Sequence, residues 1–135
     1  MDPTLDHVGI SVRDYDRSKA FYLARLAPFG IEFVMEYAKA GGFGRNGKPE
    51  LWIAQGATSY QSEAQIRTIT PVHVCVRAKS RADVDAFHRA ALEAGARDFG
   101  APGLRPIYHP DYYGAFVLDP DGHNLEAATH GPEST

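Results

Sequence analysis

Two histidines, His7 and His73, stand 66 residues apart, each inside a run of β-branched residues: LDHVGISV and PVHVCVRA. Successive side chains of a strand point to opposite faces, so a period-two reading sorts them. Val8, Ile10 and Val12 share one face, and His7, Gly9 and Ser11 the other. In the second run His73, Cys75 and Arg77 lie opposite Val72, Val74 and Val76. The same rule applied to PELWIA puts Glu50, Trp52 and Ala54 opposite Leu51 and Ile53. In HNLEAAT it puts Asn124, Glu126 and Ala128 opposite Leu125 and Ala127. If helices cover the aliphatic faces, two imidazoles and two carboxylates occupy inner faces at matching places in the two halves. A buried carboxylate is costly unless its charge is compensated. A divalent cation held by His7, His73, Glu126 and Glu50 would compensate both.

The elements that must position these residues repeat with the same offset. Phe21 falls on Phe87, Leu26 on Leu92 and Ala20 on Ala86. The first helix is expected from about Asp16 to Ala27, capped by Asp14 or Asp16 and ended by Pro28 and Gly30. The second is expected from Arg81 to Ala94, with Ser80 as N-cap, Asp83 three residues on, and Gly95 at its end. Val84, Phe87 and Ala91 then form the face that packs on a sheet. Ile31 to Tyr37 reads as a strand, followed by a Gly-rich connection and Asn46-Gly47, a hairpin signal into Pro49 to Ala54. In the second half a short strand near Ala96 to Phe99 precedes the loop APGLRP. Gly114 to Leu118 then turns through Asp119-Pro120-Asp121-Gly122 into His123 to Thr129. The reading is an α+β fold of two βαβββ modules whose sheets combine into one curved, cup-like mixed sheet with helices outside. Module 1 spans about residues 4–56, a polar linker 57–70, module 2 about 71–130 and a disordered tail 131–135.

Composition narrows the function classes. The 135 residues suit one domain, and 44% hydrophobic with 23% charged is ordinary for a globular protein. A net charge of −3 with scattered Lys and Arg offers nucleic acid no basic surface. No apolar stretch approaches the length that spans a membrane. The start MDPTLDHVGI carries no basic region ahead of an apolar run, and one cysteine forms no internal disulfide. These features point to a cytoplasmic chain and away from nucleic acid or membrane as partners.

Two βαβββ units, a His in the first strand of each and a Glu in the last, resemble the glyoxalase, bleomycin-resistance and extradiol-dioxygenase superfamily, also called vicinal oxygen chelate. The resemblance covers Leu5 to Thr129, and its local signatures are LDHVGISVRDYDRSKAFY and FVLDPDGHNLEA. It implies a metal at the centre of the cup with open positions for two neighbouring substrate oxygens. In members of the glyoxalase I type the ligands are His7, Glu50, His73 and Glu126. The ion (nickel, zinc, cobalt or manganese) is then a Lewis acid while Glu126 or Glu50 moves a proton between adjacent carbons. That is a metal-dependent lyase or isomerase of the lactoylglutathione-lyase type. In members of the dioxygenase type, His7, His73 and Glu126 alone hold Fe(II), with Glu50 idle. A metal-free antibiotic binder is the third alternative, and the retained His and Glu pattern argues against it. The resemblance also implies a homodimer, with modules joined within one chain or exchanged between two.

Around this centre, Trp52, Arg77, His109, Tyr112 and Tyr113 are candidates for the substrate pocket, with Phe43, Gly44 and Arg45 at its entrance. Tyr112 and Tyr113 read equally as rim packing. His123 reads as a solvated turn residue, His88 as helix packing, His130 as part of the polar tail, and Cys75 as a small buried filler.

Overall fold

The computed structural model describes residues 5–56 and 59–132. Each half opens with a branched strand that a helix immediately covers. Strand β1 (Val8–Val12) leads into helix α1 (Tyr15–Leu26), whose N-cap Asp14 accepts from Arg17 N at 3.1 Å. A 3-10 turn, Ala27–Phe29, then ends at Gly30 with φ 70°, a left-handed stop that glycine adopts without strain. Strands β2 (Glu32–Tyr37), β3 (Ala40–Arg45) and β4 (Lys48–Gln55) complete the first half. The second half repeats the plan with β5 (His73–Arg77), α3 (Arg81–Glu93), β6 (Arg97–Leu104), β7 (Tyr113–Leu118) and β8 (Asn124–Thr129). Ser80 caps α3 by accepting from Asp83 N, and Gly95 follows its end at φ 97°.

The strands form two four-stranded mixed sheets, ordered β1-β4-β3-β2 and β5-β8-β7-β6. In each, the first strand runs parallel to the last and sits at an edge. The face covered by the helices is as read from alternation: Ile10, Val12, Ile53, Val117, Leu125 and Ala127 are buried against Phe21, Leu26, Val84, Phe87 and Ala91. A cleft of about 520 Å³ between β1 and β5 is lined by residues of both.

Three stretches depart from the sequence reading. The Gly-rich connection is a full strand, β3, and its glycines are there for space. A Cβ on Gly42 would stand 2.8 Å from Pro49 Cβ and 3.2 Å from the Trp52 ring. The strand expected at Ala96 to Phe99 continues through the loop APG to Leu104, with register shifts that absorb the glycines. The linker contains a short helix, α2 (Glu63–Thr68), with a complete capping box between Ser62 and Gln65. The Asn46-Gly47 hairpin forms as expected, both residues at positive φ (54° and 74°), the type I′ signature.

The DPDG turn joins the halves. Asp119 accepts from the backbone N–H groups of Asp121 and His123 and from the Tyr22 hydroxyl of α1 at 2.7 Å. Asp121 accepts from Arg13 N at 2.9 Å. His123, expected in solvent, is buried instead. Its Nδ1 accepts from Val72 N (3.1 Å) and its Nε2–H donates to Ser11 O (2.7 Å), which fixes a neutral tautomer. It pins the end of β1 to the strand-entry segment of the second sheet. His88 pairs with Asp98 at 3.0 Å.

Arg25 is 1% exposed at the contact of α1 with α3. Its guanidinium lies 4.5 Å from the Phe87 ring centroid and 5.2 Å from that of Tyr22, while Nε has no hydrogen-bond partner. Burial lowers this guanidinium to about 10. A desolvated, incompletely bonded cation contributes through shape and ring contact more than through charge. Arg25→Met is therefore expected to hold or raise the melting temperature. Arg25→Ala, which opens a cavity, is expected to lose about 2–4 kcal/mol in urea denaturation.

Candidate functional site

The inner face of the second sheet carries a carboxylate with donors on two sides. Glu126 is 3% exposed, and β8 sets it between Cys75 of β5 and Phe116 of β7. The Tyr112 hydroxyl donates to its Oε2, and His73 Nε2–H donates to its Oε1 at 3.0 Å. Gly114 makes room for this contact: a Cβ there would stand 3.1 Å from both Glu126 Oε2 and the Tyr112 ring. Desolvation first, then the hydrogen bond to Glu126 and its charge, raise the Tyr112 hydroxyl, so it stays a donor at neutral pH. Cys75 keeps surface exposure rather than serving as buried filler. Its sulfur is nonetheless drawn out of water, and this, with the Glu126 charge, pushes the thiol up to about 12. A thiol so placed is a poor nucleophile.

The inner face of the first sheet presents the other imidazole. His7 Nδ1–H donates to Asp6 Oδ1 at 2.6 Å, and Lys48 Nζ reaches the same oxygen at 2.9 Å. The His7 bond comes first in holding the Asp6 carboxyl below its usual range. In the neutral ring such a pair puts the hydrogen on Nδ1 and leaves Nε2 as the lone-pair nitrogen, the arrangement in which a histidine binds a metal. Asp6 was not singled out from sequence, although an acidic residue beside a candidate ligand was the available signal.

The parallel ladders decide the place of the second carboxylate. Val8 pairs with Leu51 and Gly9 with Trp52 in the first sheet; Val74 pairs with Leu125 and Cys75 with Glu126 in the second. The counterpart of Glu126 is therefore Trp52, and Glu50 corresponds to Asn124. Glu50 lies on the inner face as alternation requires, but two residues along the strand, about 7 Å, from the matching position. It is exposed. Glu50 is therefore not at the matching place expected of it, which an indole holds instead, while His73 and Glu126 keep the register positions read from sequence.

His7, His73 and Glu126 do not meet within one chain. Among the described residues no group of three His, Cys, Asp or Glu side chains converges as a metal site. His73 and Glu126 do stand together at 3.0 Å, an imidazole nitrogen and a carboxylate oxygen of the kinds that would hold a divalent ion. The donor set fits a divalent ion in part, with a third ligand still to be supplied.

The remaining pocket candidates divide. Trp52 lines a cavity of about 950 Å³ together with His7, Tyr37 and linker residues. Arg77 is exposed in the cleft that also borders His7, Glu50 and His73. Tyr113 points the other way: its hydroxyl donates to Asp85 of α3 at 2.7 Å, because it shares the helix face with Ala115 and Val117. Phe43 is 1% exposed, packed against Tyr22 and Phe33, and with Arg45 it borders that same cleft. His109 lies 3.0 Å from His130, and both rings pack on Tyr112. His130, read from sequence as part of the polar tail, thus packs on Tyr112 beside Glu126; of the tail, residues 133–135 lie outside the described residues.

With this geometry in hand, the family model described as Glyoxalase/Bleomycin resistance protein/Dioxygenase superfamily matches residues 4–127. The chain belongs to this superfamily. A glyoxalase/bleomycin resistance protein from Albidiferax ferrireducens is 26% identical, with 94% of this chain and 99% of that one covered and a TM-score of 0.78. A family enzyme from Burkholderia phytofirmans (21%, covering 96% and 100%, TM-score 0.69) shares the fold. So does the fosfomycin resistance protein FosX from Mesorhizobium loti (18%, covering 97% and 95%, TM-score 0.63). No curated protein matches the chain. No helix among the described residues is long and apolar enough to cross a membrane.

The raised thiol gives a direct check on the charge of Glu126. In chelator-treated protein, Cys75 is expected to react slowly with iodoacetamide at pH 8. Glu126→Gln removes the anion that opposes thiolate formation, so the midpoint of the rate-against-pH profile should move to lower pH. An unchanged profile would show that Glu126 does not act on the thiol.

Proposed function

We propose that this superfamily member is a metal-dependent enzyme acting on a small molecule with two neighbouring oxygen atoms. Its ion is held by His7, His73 and Glu126, in a site that two copies of the chain complete. The observation that carries this reading is the register, which puts Trp52 where a fourth ligand would stand. When bound, the ion supplies Lewis acidity toward the two oxygens and, if it is iron, access to oxygen chemistry.

The chain's own residues supply orientation and proton handling. Tyr112 donates to Glu126 Oε2 and so fixes the carboxylate plane. The Asp6 carboxylate fixes the His7 tautomer. Tyr112, held protonated at Oη, is the nearest proton carrier to Glu126. A lyase or isomerase of the lactoylglutathione-lyase type also calls for a second carboxylate, and Glu50 is out of place for that role. The two-His, one-Glu set favours the oxidoreductase alternative, with iron(II) and ring-opening oxygenation. The copy-exchange part of the reading is supported by the fact that, among the described residues of one chain, no three such side chains converge.

Protein purified without a histidine tag and without chelators, loaded anaerobically, should carry close to one iron per chain by elemental mass spectrometry. His73→Ala and Glu126→Ala should lose it, and Glu50→Gln should keep it. Nickel, zinc, cobalt or manganese in place of iron would return the lyase or isomerase reading to first place, and no uptake of any ion would overturn the enzyme reading. Mixing denatured His7→Ala and Glu126→Ala chains and refolding them together should restore about a quarter of the sites, because one site in each hybrid dimer is intact. A site built within one chain would stay empty in that mixture.

A further inference from the structure

We propose that the cavity over the inner face of β4 binds a flat aromatic ring, with Trp52 as the platform on which it stacks. On that face both lateral neighbours of Trp52 are glycines, Gly9 of β1 and Gly42 of β3. The two do different things. A Cβ on Gly42 would stand 3.2 Å from two atoms of the indole, so the ring lies across that glycine. A Cβ on Gly9 would meet only Trp52 Cβ, at 3.8 Å, so the space beside the ring on that side is open. The matching position in the second sheet, Glu126, is flanked instead by Cys75 and Phe116. The first module therefore has an indole and a gap where the second has a carboxylate and a filled wall.

The rest of the cavity agrees with a planar, largely uncharged ligand. Tyr37 stands beside the indole at 5.9 Å between centroids and 58° between planes, an angled second wall. Tyr60 and Ile69 border the cavity from the linker, which is tied to β1 where Gln61 Nε2 donates to Ser11 Oγ at 2.9 Å. At the other end lie His7, Asp6 and Lys48, and the Lys48–Asp6 pair at 2.9 Å neutralises its own charge. A volume of about 950 Å³ admits a ligand of two or more rings. Aromatic faces offset or tilted at these separations favour flat π-systems over aliphatic rings of equal area. The proposal rests on the proposed function only in placing the ligand's oxygens at the His7 end; stacking on Trp52 requires no ion.

Trp52 is the one tryptophan of the chain, so intrinsic fluorescence reads the platform alone. The full chain, freed of metal with a chelator, is titrated with 2,3-dihydroxynaphthalene and, separately, with cis-1,2-cyclohexanediol, which offers neighbouring oxygens without a flat ring. The naphthalenediol should quench Trp52 saturably and bind at least about tenfold more tightly by calorimetry than the cyclohexanediol. Gly9→Leu fills the open space without removing the indole, and it should weaken naphthalenediol binding by about tenfold with an unchanged circular dichroism spectrum. Trp52→Leu should do the same, and Trp52→Phe should restore most of the affinity. Equal affinity for the two diols, or full affinity in a folded Gly9→Leu variant, would overturn the platform. Saturable binding to a chain that takes up no ion would keep the platform and sink the proposed function. Ion uptake without preference for the aromatic diol would do the reverse.

Discussion

A carboxylate enclosed in the wall of a sheet has to be compensated, and much of the second module serves that need for Glu126. The Tyr112 hydroxyl and the His73 ring both donate to it, and Gly114 is free of a side chain so that the first contact can form. His109 and His130 pack on Tyr112 and hold the loop that carries it. A bound cation would replace the His73 bond with stronger compensation, which is why the same cluster reads as two thirds of a metal site.

The two modules have the same backbone plan and different chemistry on their inner faces. In the second, the parallel ladder brings a carboxylate beside a thiol and near an imidazole; in the first, the equivalent place holds an indole beside glycine. The asymmetry follows from single residues on a repeated frame, since alternation keeps every side chain on its face whichever residue is present. Under the proposed function, the first module would contribute His7 alone to metal binding, oriented by Asp6. The cavity next to it is shaped by aromatic surface. One module thus reads as the chemical half of a site and the other as the recognition half.

Much of this was legible in the sequence. The offset between His7 and His73, the helix-facing aliphatic sets and the caps at Asp14 and Ser80 all rest on local periodicity, and local periodicity survives folding. What was not legible depends on distance across the sheet. Glu50 was placed on the correct face, yet alternation fixes a face and not a height, and only the Val8–Leu51 pairing sets the height. His123 sits in a turn sequence, where nothing signals that its two ring nitrogens will find Val72 and Ser11. Tyr112 and Tyr113 are neighbours, so one had to face each way, and the extent of β7 decides which. Phe43 was masked by the glycines around it, which read as a loop and are the space into which Trp52, Tyr15 and Phe33 pack.

The three-ligand site is tested most directly by a crystal structure of the ion-loaded protein, recorded at the absorption edge of the bound metal. The account predicts one anomalous peak per chain, bonded to His73 and Glu126 of one protomer and to His7 of its partner, with Trp52 adjacent and the Glu50 carboxylate outside bonding distance. A peak coordinated by Glu50, or one lying away from Glu126, would contradict it.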